Sequence, residues 1–489
     1  MTTREKVAHI LRRFGLGASK AELDFYEKLG VEGALDRLIN YDKVEEGYPV
    51  NVWEFAQRLP ERPPRLRAEQ VASWWALRMM VSQRPLQEKL TLFWHDHFAV
   101  SGSKVDEGPN LANYLDVLRA GAGGSFKDLL INISQTPAMI EWLDNNTNVR
   151  GKPNENFARE VMELFTLGIG HYTETDIQEA SRAFTGWTFR RDFSFRRQSA
   201  NFDVTKALDQ QIMENKPLTI FEFRQNLHDT GTKKILGSEA NFNGIDVLEI
   251  LASKPQTALN ITSKLWEWFA YPKPEPKVQE RLAKVYRDSG YQIRPILFAI
   301  AKSDEFWSDK CVRRQIKSPV DFTISVCRSL GLGATVLASR PEDASPLKSL
   351  ALPVIQAPRT ISQSLSNQGM GLLFPPDVAG WDWGTAWISS ATMVERIKLA
   401  DALFTALRRF DCAGALTGAI MSTNPKTSKD VVKAMLGIFD IELPQSRQAT
   451  IVETFEKNGG MTALMSRNSA PLYQSVCRVL FAAPEYQFC

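Results

Sequence analysis

The stretch 154–170, NENFAREVMELFTLGIG, carries three glutamates and two asparagines in what otherwise reads as an amphipathic helix. Stepping about 100° per residue places Phe157, Val161 and Leu164 on one apolar stripe and Asn156, Glu160 and Glu163 together on the flank beside it. Two carboxylates bordering a partly dry cleft are pushed to different pKa values, which is what acid/base chemistry needs. The alternative is plain: exposed glutamates form helices well and pair with Lys or Arg, as Glu155 and Arg159 can at i,i+4.

Five histidines occur, His9, His95, His97, His171 and His228. In FWHDHF, His95 and His97 flank Asp96; on a continuing helix they point about 160° apart, whereas a helix ending near Trp94 lets both turn to one centre. HDTG at 228–231 adds His228 and Asp229 in a turn. His95, His97 and His228, with Glu160, would form a sensible set for a divalent metal such as zinc if the fold brings them together. Buried, hydrogen-bonded histidines are the alternative. The expected catalytic set is therefore Glu160 and Glu163 with His95, His97 or His228.

Tyr172 stands in the glycine turn after the helix. Trp187 closes an apolar stripe of Ile177, Ala180 and Phe184 on the next helix, for which Thr175 and Gln178 are read as a capping box. WDWGTAW sets Trp381, Trp383 and Trp387 behind two prolines, with Asp377 and Asp382 as polar neighbours. Indole faces there either close a core or stack on sugar rings. Asn156, Tyr172, Asp96, Asp229, Trp187, Asp377, Trp381 and Trp383 are the expected ligand contacts. Residues 144–155 carry Asp144, Asn146, Asn148 and Glu155 at calcium-loop spacing, but Val149 replaces the required glycine and Lys152 repels a cation. Side chains capping their own loop fit it better.

Helical periodicity dominates the 489 residues. The reading is a mainly α, multi-helical fold: helical over 1–186, a small β-hairpin or ribbon insertion at 187–237, helical over 238–334, then loop-rich and again helical over 335–489. In the insertion, WTFRRDFSFRR alternates, with Phe189, Arg191, Phe193, Phe195 and Arg197 on one extended face and Arg190 and Arg196 on the other, a pattern that suits an anionic polymer or a solvated strand. A formal net charge of +3 argues against a dedicated nucleic-acid binder. Five widely spaced cysteines without a CxxC argue against a disulfide framework or cysteine-held zinc. No apolar run has the length of a membrane span, and the first residues show no signal peptide. As written the chain reads as cytoplasmic, unless a leader has been removed.

WLDNNTNVRGKPNENFAREVMELFTLGIGHYTETDIQEASRAFTGW resembles the bacterial domain-of-unknown-function 1800 family. So do, in order, HILRRFGLGAS, KLTLFWHDHFAVS, HDTGTKKILG, SKLWEWF, GYQIRPILFAIAKSDEFW, KSPVDF and FPPDVAGWDWGTAWISSATMVER. The resemblance covers nearly the whole chain and implies one family domain. It implies no settled activity and no catalytic residues. Members are similar to exported proteins of bacteria with large envelopes. Their genes often neighbour a second family resembling the alkaline phosphatase and sulfatase group, a candidate partner. Two functions follow as expectations: a hydrolase-like enzyme on a glycan or extracellular polymer, with or without a divalent metal, or a non-catalytic helical scaffold in polymer assembly or export.

Overall fold

The computed structural model describes residues 1–60, 62–192 and 204–489. Phe193, Phe195, Arg196 and Arg197 of the alternating stretch lie outside the described residues. The fold is mainly α with two small antiparallel ribbons.

Local signals set the helix starts. Thr2 and Ser19 each cap a helix and receive Glu5 and Glu22 in return, closing capping boxes at Thr3–Arg13 and Lys20–Ile39. Gly30 adopts φ 70°, so the second helix breaks there, as its sequence suggests. Ala68–Val81 and Pro85–His97 are separated by the Ser82–Arg84 turn, with Pro85 in the first turn of the second helix.

These two helices and Gly108–Gly121 are fastened by one buried carboxylate. Glu88 accepts from Arg78 Nε at 2.7 Å, Arg119 Nε at 2.8 Å and Trp75 Nε1 at 2.9 Å. Burial alone would raise its pKa; Arg119 and Arg78 outweigh that and hold it at about 2. Apolar packing does the rest: one cluster of buried side chains runs from Val7 to Tyr486 and includes Trp75, Trp94 and Trp266. Truncating one such indole costs about 3–5 kcal/mol.

In the insertion, Trp187–Arg191 pairs antiparallel with Thr219–Phe223, and Lys233–Ile235 with Ser238–Ala240. The second turn takes positive φ at both Leu236 and Gly237, which suits a two-residue hairpin. A helix, Val204–Met213, lies between the first two strands and was not legible as part of a ribbon. The strand arginines are paired: Arg191 with Glu107 at 3.1 Å, Arg190 with Asp192 at 3.4 Å.

Three local readings need correction. The helix after Tyr172 is capped by Thr173 with Asp176, and spans Glu174–Ala183, because this pair sits three apart directly ahead of the apolar stripe. The segment 335–380 is loop-rich as expected, but it holds one helix that the reading missed. Leu352–Asn367 is a 16-residue helix with Val354, Ala357, Ile361 and Leu365 buried, and its prolines sit in the first turn and at Pro358. Finally, the helix from Asn156 changes to a π turn over Val161–Thr166. The wider turn moves the buried set to Phe157, Ala158, Val161, Met162, Phe165 and Thr166, while Leu164 becomes partly exposed.

Among the described residues no single helix is long and apolar enough to cross a membrane. All five cysteines are free and buried.

Candidate functional site

The helix Pro85–His97 does not end at Trp94; it runs on to His97, with Phe98 as its cap. His95 and His97 therefore diverge. His95 is fully buried. Its Nε2 accepts the Leu373 backbone N–H at 3.2 Å, so Nδ1 carries the proton and donates to the Tyr114 hydroxyl at 2.9 Å, which donates to the Phe98 carbonyl at 2.7 Å. Burial pushes His95 down to about 3, a neutral ring at any ordinary pH. It is a structural tie between Pro85–His97 and the 372–374 segment.

His97 turns the other way. Its Nε2–H donates to the Phe165 carbonyl at 3.1 Å, and its Nδ1 accepts from Lys264 Nζ at 3.2 Å. Lys264 also donates to the Leu164 carbonyl at 3.1 Å, and Asn260 Nδ2 to the Thr166 carbonyl at 2.7 Å. The π turn thus presents three successive carbonyls to side-chain donors. A cation at this negative helix end is favourably placed.

The polar flank of the same helix lies elsewhere. Glu163 accepts from the Tyr172 hydroxyl, whose pKa burial and that carboxylate push up to about 12. Burial, then the charge of Glu163, raises Glu160. Asn156 donates to the Leu143 carbonyl at 3.2 Å. Arg159 binds Glu174 at 2.7 Å and Glu155 at 3.4 Å. Asp229 is held by Arg182 at 2.9 Å, whose hydrogen bond keeps it at about 2. His228 turns Nδ1 to the Thr185 carbonyl at 3.0 Å. Trp187 packs edge-on to Phe184 and Phe221 within the core. Asp144 pairs with Lys104 at 2.8 Å, and Asn145 and Asn148 hold carbonyls of the neighbouring segments, as a self-capping loop would.

The expected convergence of Glu160, Glu163, His95, His97 and His228 is therefore corrected. The helix of the opening stretch does reach His97, but through its C-terminal carbonyls rather than its carboxylate flank. Both ring nitrogens of His95 and of His97 are spent on hydrogen bonds. No group of three or more His, Cys, Asp or Glu side chains that could hold a metal comes together among the described residues.

What does converge is Asp96, the residue between the two histidines. It opens on a cavity of about 560 Å3 lined by Phe93, His97, Lys264, Trp268, Trp381 and Trp383, with Glu267 and Arg314 also on the wall. Asp96 Oδ1 accepts the Trp381 backbone N–H at 2.8 Å and Oδ2 the Trp383 Nε1–H at 3.1 Å. Gly380 (φ 92°) makes this approach feasible: a Cβ there would stand 2.4 Å from Asp96 Oδ1 and 2.6 Å from its carbonyl oxygen. Burial pushes Asp96 up to about 7, against the opposing pull of the Trp381 N–H, the Lys264 charge and Trp383. Burial lowers Lys264 in turn, opposed by Asp96 and Glu267.

Three indoles form the wall. Trp268 meets Trp383 edge-on at 4.4 Å between centroids, Trp381 packs on His95 at 5.1 Å, and Trp387, behind the wall, backs Trp383 at 5.4 Å. Trp383 is exposed and Trp381 buried. Asp377 does not reach the cavity; it accepts the Ala379 N–H at 2.8 Å and shapes the turn.

The family model described as "Protein of unknown function (DUF1800)" matches residues 9–488. The chain belongs to the DUF1800 family. No curated protein and no solved structure matches it. Two site residues of this DUF1800 chain, Lys264 and Trp268, lie in SKLWEWF and were not singled out from sequence. The signal was available: they are four apart on one helix face, with Lys264 beside the buried Ile261 and Leu265.

Proposed function

We propose that this DUF1800 protein is a hydrolase-like enzyme that takes a glycan or related polymer into the tryptophan-walled cavity, with Asp96 as the acid/base group. One observation carries the reading: a carboxyl held near neutrality by burial, fixed by two N–H donors, opens on a ligand-sized cavity. A carboxyl poised near the working pH can give a proton to a leaving oxygen and take one back from water. Indole faces suit the apolar faces of sugar rings. Glu267 supplies a second carboxylate on the same wall, and glycoside hydrolysis uses such a pair. Lys264 lends positive charge to the site, and His97 orients Lys264 rather than exchanging protons with substrate. Tyr172, Glu160 and Glu163 belong to a surface network outside this site.

The test is release of reducing ends from bacterial surface polysaccharides by the wild type, Asp96→Asn and Glu160→Gln. The expected loss is about a hundredfold or more for Asp96→Asn, with Glu160→Gln near wild type. Polysaccharide binding without release by the wild type would make the cavity a non-catalytic receptor, the property expected of a scaffold in polymer assembly. An unimpaired Asp96→Asn enzyme would remove Asp96 from the chemistry.

A further inference from the structure

A second cleft, of about 930 Å3, runs between Thr3–Arg13, the start of the next helix, the Val312–Arg313 turn and the 434–442 segment. It adjoins a small pocket of about 40 Å3, and both spaces are lined by Ala8, Arg12, Lys20, Leu23 and Asp440. That small volume admits a few waters, or one oxyanion group. It shares no lining residue with the tryptophan cavity: Arg314, Gln315 and Ile316 face that cavity, and Lys317, the next residue, faces this one.

The charges here do not balance. Arg12 Nη1 pairs with Asp440 Oδ2 at 2.6 Å, and Arg313 Nη2 with Asp440 Oδ1 at 2.9 Å. Lys317 stands beside them, 6% exposed, its Nζ 3.7 Å from the centroid of the Tyr486 ring. No carboxylate or carbonyl accepts from its Nζ among the described residues. Arg12 is 8% exposed, and its Nε–H is also without an acceptor. The other acid on the pocket wall, Asp321, is occupied by Lys89 at 3.0 Å and the Ser318 hydroxyl at 2.8 Å. Glu442 reaches Arg313 Nε at 3.1 Å but from the surface. Lys20 at the rim is paired with Asp24 at 2.7 Å. Arg12, Arg313 and Lys317 thus share Asp440, itself 33% exposed, and Arg12 Nε–H and Lys317 Nζ are left without an acceptor among the described residues. A buried charge of this kind is costly unless paired; the Tyr486 ring compensates Lys317 only in part.

The geometry points to an oxyanion-binding site: the small pocket takes the phosphate or carboxylate group of a small ligand, held by Lys317 Nζ and Arg12 Nε–H, and the open cleft takes the rest of the ligand. Charge-assisted hydrogen bonds from both cations give the pocket its preference for an anion over a neutral group. The site is independent of the glycan reading and stands or fails without it.

Calorimetric titration of the full chain with inorganic phosphate, glucose 6-phosphate and acetate, at constant ionic strength, tests this on the wild type and Lys317→Met. The wild type is expected to bind at least one oxyanion saturably, and Lys317→Met to bind it about tenfold more weakly or worse. Tighter binding of the ester than of phosphate assigns the ligand to the cleft as well as the pocket; equal binding assigns a free oxyanion. No saturable binding to the wild type, or equal binding by the variant, overturns the site. Should Lys317→Met fail to fold, reductive methylation of the wild type followed by mass spectrometry gives the same answer. Phosphate, relative to chloride, is expected to slow modification of Lys317 about tenfold, and an unchanged rate overturns the proposal.

Discussion

Asp96 and Trp381 stand 285 positions apart in the chain, yet the Trp381 backbone N–H reaches the Asp96 carboxylate at 2.8 Å. This bond joins the C-terminal turn of Pro85–His97 to the tryptophan loop and gives the cavity its floor. The same contact raises a question of pH. The folded chain holds the Asp96 proton up to about 7 against an ordinary 3.8. The contribution of Asp96 to stability is therefore full below its unfolded pKa and is lost as pH rises through about 7. Wild type is expected to lose up to about 4 kcal/mol relative to Asp96→Asn across that window. Thermal melts of both chains from acid to mildly alkaline pH would give the difference, and a flat one would contradict the burial of this carboxyl.

Gly380→Ala places a methyl against Asp96 Oδ1 and the Asp96 carbonyl oxygen in a backbone region that disfavours side chains. The expected cost is about 2–4 kcal/mol, since a clash adds to the positive-φ penalty. Urea denaturation measures it. A change below about 1 kcal/mol would mean that the loop moves freely away from Asp96.

Lys264→Met removes a donor from His97 Nδ1 and from the Leu164 carbonyl. Leaving these acceptors unmet costs about 1–3 kcal/mol. Because the Lys264 charge lowers the Asp96 pKa, its loss is also expected to move the Asp96 midpoint upward. The stability difference between Lys264→Met and its Asp96→Asn double mutant, followed against pH, reads that shift directly; an unmoved midpoint would separate the two groups electrically.

Glu88 carries the opposite sign of pH dependence. Held at about 2 against an ordinary 4.5, it stabilises the fold above the ordinary value and loses that contribution as pH falls through about 2. Glu88→Gln leaves the buried Arg119 and the partly buried Arg78 facing a neutral amide, for about 3–5 kcal/mol of destabilisation. The loss is expected at neutral pH and should shrink on acidification; equal loss at all pH values would assign it to packing instead.

Much of the helical architecture was legible because caps, glycines and apolar spacing agree locally, as at Ser19, Glu22 and Gly30. Leu352–Asn367 was not, since Pro353 and Pro358 imitate a loop although the apolar spacing is intact. The site was half legible. FWHDHF and WDWGTAW were recognised as chemistry-bearing, but their roles depend on a contact no local pattern encodes. The Glu160 flank drew attention through a uniform helical step, which the π turn at Val161–Thr166 breaks. Its true contribution, carbonyls facing Lys264 and His97, comes from backbone that residue types do not advertise.

The central claim is that Asp96 is an acid poised near neutrality inside a ligand cavity. Site-resolved titration of the Asp96 carboxyl by carbon NMR, assigned with Asp96→Asn, tests it most directly. The expected midpoint is about 7; a midpoint at the ordinary aspartate value of 3.8 would contradict it.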